Sequence, residues 1–93
     1  MERNIYEIER QHRVTYDKLN QANQRTQSKK NRDLIDYIID AARINANDTL
    51  TDDKNVRDDQ WDQMFVGSIE GMLCSGEYDR HVCGFFEKHG IRW

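Results

Sequence analysis

Trp61, Met64, Phe65, Ser68, Ile69, Met72 and Leu73 recur at offsets of three, four, seven, eight, eleven and twelve residues. Side chains three and four apart lie on one face of an α-helix, so this run predicts an amphipathic helix that must bury its stripe against other elements. The 93-residue chain has no proline, the usual helix breaker, and only 5 glycines at which the backbone can reverse sharply. Long helices joined by short connections are therefore expected along its whole length.

Three further helices are predicted around this one. Ile5, Ile8, His12, Tyr16 and Leu19 lie on one face of a helix over about residues 4–24, with Glu9 and Arg13 in the favourable i,i+4 order. The stripe is as narrow as a coiled-coil seam, which suits burial against a second copy. A polar, amide-rich connection follows over 25–31, where Thr26 or Ser28 is placed to cap the next helix. That helix, over about 32–46, carries Leu34, Ile35, Ile38, Ile39, Ala42 and Ile44 on more than one face and is expected to be the most buried. The Asn45–Asp48 stretch, rich in side chains that compete for backbone hydrogen bonds, is expected to end it. Thr49 or Thr51 then opens a helix over about 52–75, Gly76 stops it, and a last helix over about 77–89 stops at Gly90. The expected core sets Trp61, Phe65, Ile69 and Leu73 against Leu34, Ile35 and Ile38. The resulting fold class is all-α: residues 1–93 as a single domain of four helices in two hairpins, dimerising through the N-terminal helix.

Charge narrows the functions. The net charge is −3, and it is uneven: residues 1–50 hold 9 Lys and Arg against 8 Asp and Glu, while residues 51–93 hold 5 against 9. An acidic C-terminal half gives generic nucleic-acid binding no overall electrostatic support. The mean hydropathy is −1.02, and no stretch reaches the roughly 18 to 20 apolar residues of a membrane span. Two cysteines without a signal sequence point to free thiols in a reducing, cytoplasmic compartment.

Cys74, His81, Cys83 and His89 are the residue types zinc prefers. Their order, C-x6-H-x-C-x5-H, lacks the short paired spacing of structural zinc sites, and His81 and Cys83 fall on different helix faces. They read as structural residues, with no metal and no cofactor expected. No glycine-rich phosphate loop or hydrolase signature is present, and Cys83 two residues from His81 is poor geometry for an activated nucleophile. Catalysis is not expected.

Two charged sets remain. Asp52, Asp59 and Glu70 fall opposite the Trp61 stripe with Asp62 on its shoulder, an acidic ridge able to imitate phosphates and occupy a basic groove. Arg25, Lys29, Lys30 and Arg32 form a basic set in the connection, able to hold phosphates but without an aromatic platform. The function expected is a non-catalytic binding protein whose acidic ridge meets a protein partner. An inhibitor of a bacterial nucleic-acid-processing or defence complex fits, of the anti-CRISPR or anti-restriction type that phages and mobile elements encode. The alternative is a nucleotide or nucleic-acid binder using the basic set; a small zinc protein or enzyme is the third reading.

Overall fold

The computed structural model describes residues 5–51 and 60–93. These form five helices: α1 (Ile5–His12), α2 (Val14–Asn23), α3 (Lys29–Thr51), α4 (Gln60–Leu73) and α5 (Arg80–Lys88). The all-helical class is as expected, but the helix count differs from four because the first predicted helix is two. Arg13 leaves helical geometry at φ −89°, ψ 39°, and separates α1 from α2. The two short helices run antiparallel to α3, with Glu9 of α1 reaching Arg43 and Asn47 while Asn23 of α2 reaches Arg32 and Asp36.

The narrow N-terminal stripe is filled within the chain. Ile8 and Leu19 are buried, and Ile5 and Tyr16 pack against the same core, so the seam expected to meet a second copy is occupied by this molecule's own helices. Glu9 does not pair with Arg13 in the manner expected; Arg13 Nε lies 3.5 Å from Asp17 instead, because Glu9 is drawn inward to α3.

The central helix is longer than predicted at both ends. Ser28 caps its start by accepting from the Asn31 amide at 3.4 Å, one of the two caps expected. Its end passes through the asparagine stretch to Thr51. The amides there are engaged by other helices, Asn45 donating to Ser68 Oγ at 2.7 Å and Asn47 bonding both Trp61 and Glu9. They do not compete with their own backbone, and the helix continues.

α3 and α4 form the largest contact in the fold. Trp61, Phe65, Ile69 and Leu73 are fully buried with Ile35 and Ile38, as the periodicity predicts, while Leu34 is only partly covered. Trp61 and Phe65 stack at 5.3 Å between ring centroids, and Tyr16 meets Phe65 edge-on at 5.8 Å. Both glycine stops hold: Gly76 and Gly90 have φ of 75° and 88°, a region open to glycine without strain. After α5 the Ile91 amide bonds the Phe86 carbonyl and the Gly90 amide bonds that of Glu87, a Schellman ending that folds Ile91 into the core. The last helix starts later than predicted because Asp79 caps it, accepting from the Val82 amide at 2.9 Å.

Candidate interaction surfaces

Of the predicted acidic ridge, Asp62 and Glu70 lie among the described residues. Asp52 and Asp59 lie outside them. Asp62 is half-buried, and its Oδ2 accepts from Thr15 Oγ1 of α2 at 3.0 Å, so the shoulder of the ridge is covered by a neighbouring helix. Glu70 is also half-buried. An ideal wheel places these carboxylates outward, but it cannot show that α2 packs across that flank of α4.

The basic set lies at the end of α2 and the start of α3. Lys29 and Lys30 are exposed in the first turn of α3 and do not lie in the connection. Arg32 is half-buried and donates to the Thr26 carbonyl at 3.3 Å. Arg25 is brought together with residues the sequence does not suggest. It lines an open groove of about 470 Å³ with Val14, Asp17, Lys18, Gln21, Ala22 and His89. Successive turns of α2 supply most of that wall, and the end of α5 supplies His89.

The cysteines and histidines do not converge. Cys74 and His81 are exposed, Cys83 Sγ lies 3.6 Å from the Tyr78 carbonyl, and His89 Nδ1 is 2.7 Å from the Phe85 carbonyl. Among the described residues, no three or more Cys, His, Asp or Glu are placed to hold a metal. Burial pushes the Cys83 thiol up, helped by Asp79 and Glu87; the thiolate, which is the nucleophilic form, is disfavoured there. Burial, then Tyr37 and Glu77, push the Tyr78 phenol up.

The inner polar cluster has a structural geometry. Trp61 Nε1 donates to Asn47 Oδ1 at 2.7 Å, Asn47 Nδ2 donates to Glu9 Oε2 at 3.1 Å, and Arg43 lies 3.4 Å from Glu9 Oε1. Glu9 and Asn47 are both buried. The bonds run across α1, α3 and α4, while Arg43 Nε is buried without a hydrogen-bond partner and the Arg43 side chain is partly exposed.

One surface escaped the sequence reading. Asp33, Tyr37, Asp40, Ile44 and Asp48 succeed one another on the outward face of α3 at spacings of four, three, four and four, and all are exposed. Tyr37 is 63% and Ile44 51% exposed. The helix expected to be the most buried has its core face buried, and its opposite face, with Tyr37 and Ile44, lies in solvent. The signal was present in the spacing of the aspartates between Tyr37 and Ile44.

No protein-family model, no curated protein and no solved structure matches this chain. Among the described residues, no helix is long and apolar enough to cross a membrane.

Proposed function

We propose that this protein acts by binding another protein, without catalysis, and that the outward face of α3 is its docking surface. The observation that carries this reading is the exposure of Tyr37 and Ile44, one i,i+7 step apart and flanked by Asp33, Asp40 and Asp48. Single exposed apolar residues are ordinary on protein surfaces. Two large ones aligned on a helix and bordered by like charge form the anchor-and-rim pattern of an interface, with tyrosine a frequent hot spot. The partner it suits is a basic surface with apolar recesses. Such a partner agrees with the inhibitor role expected from the acidic composition, although the acids involved are those of α3 and not those of the α4 ridge.

Pull-down from a bacterial lysate with the tagged protein tests this. A partner recovered in stoichiometric amount by wild type and by Glu70→Lys should be lost with the Tyr37→Ala/Ile44→Ala pair and with the Asp33→Lys/Asp40→Lys pair. Capture that withstands both pairs but fails with Glu70→Lys moves the interface to α4 and overturns the reading.

A further inference from the structure

The groove beside α2 gathers basic groups from two parts of the chain. Lys18 of α2 and Arg25 just beyond it line the groove together with His89 from the end of α5. Chain order groups Arg25 with Lys29, Lys30 and Arg32, but the fold brings it to Lys18 and His89.

The charges in this groove are not balanced. Asp17 is the one carboxylate in its lining, and it is already engaged, with Arg13 Nε 3.5 Å away. Among the described residues, Lys18 and Arg25 form no ion pair, and both are exposed. They stand two helical turns apart, about 10 Å along the axis, with Gln21 and Ala22 lining the interval between them. His89 is held in place. Its Nδ1 lies 2.7 Å from the Phe85 carbonyl, which can only accept, so Nδ1 carries a hydrogen and Nε2 is left for another partner. The imidazole also rests on the Phe85 ring at 4.7 Å between centroids.

The C-terminal ends of α2 and α5 border the groove, and such ends disfavour anions. Their carbonyls are used within the chain: Ala22 and Asn23 accept from the Arg25 and Thr26 amides, and Phe86 and Glu87 from those of Ile91 and Gly90. Each helix end carries about half a unit of negative charge, so two full cations outweigh the pair.

We propose that this groove binds a small molecule through its phosphate, held between Lys18 and Arg25 with His89 Nε2 beside it. A carboxylate offers two oxygens in one plane and a single charge. A phosphate offers three strong acceptor oxygens and about two charges at neutral pH, which suits an ammonium, a guanidinium fork and an imidazole together. Val14 and Ala22 supply apolar surface and Gln21 an amide for the rest of the molecule. The volume of about 470 Å³ lies in the range of small-ligand sites, roughly 300 to 1,000 Å³. This site goes beyond the docking surface and does not depend on it, since none of Asp33, Tyr37, Asp40, Ile44 and Asp48 lines the groove.

Titration of the isotopically labelled full chain with pyrophosphate at constant ionic strength, followed by amide NMR shifts, tests the proposal. The shifts should saturate and centre on Lys18, Gln21, Ala22, Arg25 and His89. Lys18→Glu/Arg25→Glu should weaken binding by at least about tenfold, since each cation contributes charge-assisted hydrogen bonds. Lys29→Glu/Lys30→Glu makes the same change in net charge outside the groove and should bind as wild type does. Exposed charges contribute little to stability, and the spectrum of each variant reports its fold. Acetate at the same ionic strength should leave these amides unmoved. Equal shifts with acetate, or equal loss of binding in the two double variants, overturn the proposal. So does the absence of shifts at these residues at about 10 mM pyrophosphate, above the millimolar range of weak binding. Lys18→Glu/Arg25→Glu leaves the α3 face intact and should still capture a protein partner, so failure of the groove and failure of the docking surface are read separately.

Discussion

Asn47 joins three helices through one amide. Its Oδ1 accepts from Trp61 of α4 and its Nδ2 donates to Glu9 of α1, all inside a buried region. A buried donor or acceptor left without a partner loses its hydration and gains nothing in return, at about 1 to 3 kcal/mol each. Asn47→Ala should therefore destabilise the fold by at least about 2 kcal/mol, readable as a lower midpoint in urea denaturation. A midpoint within error of wild type would show that these groups are satisfied without Asn47. The same residue explains a failed expectation: in sequence it is one of several amides that favour turns, and only the approach of Trp61 and Glu9 makes it a helix-interior residue.

At the scale of the element, helix ends here follow local chemistry while helix breaks do not. Ser28 and Asp79 cap α3 and α5, and Gly76 and Gly90 follow α4 and α5 with positive φ. Removing the α5 cap with Asp79→Ala should lower stability by about 1 kcal/mol. Amide hydrogen exchange should then quicken selectively at Val82 and Cys83, whose amides bond the Asp79 side chain and carbonyl. Exchange that rises equally in all helices would argue against a local capping effect. No such signal marks the break at Arg13, where neither glycine nor proline stands and Arg13 makes no side-chain cap hydrogen bond to α2.

The whole molecule depends on a thin core in which α4 is central. Phe65 is fully buried between Trp61 and Tyr16, and truncation of such a residue costs about 3 to 5 kcal/mol through lost burial and a residual cavity. Small domains have little more than that in reserve. Phe65→Ala should melt well below wild type or fail to fold, as circular dichroism would report; an unchanged melt would remove α4 from the core. Periodicity alone determined the α4 stripe, the burial of Ile35 and Ile38 beneath it, the all-helical class and the glycine stops, because spacing and backbone freedom are properties of the local chain. Tertiary structure decided which carboxylates stay in water. Asp62 is covered by Thr15, Glu9 is drawn in by Asn47 and Arg43, and the aspartates beside Tyr37 and Ile44 remain exposed. A helical wheel gives the angle of a side chain about its own axis, whereas exposure depends on which neighbouring helix occupies that angle, and that is set by packing between residues as much as 47 positions apart.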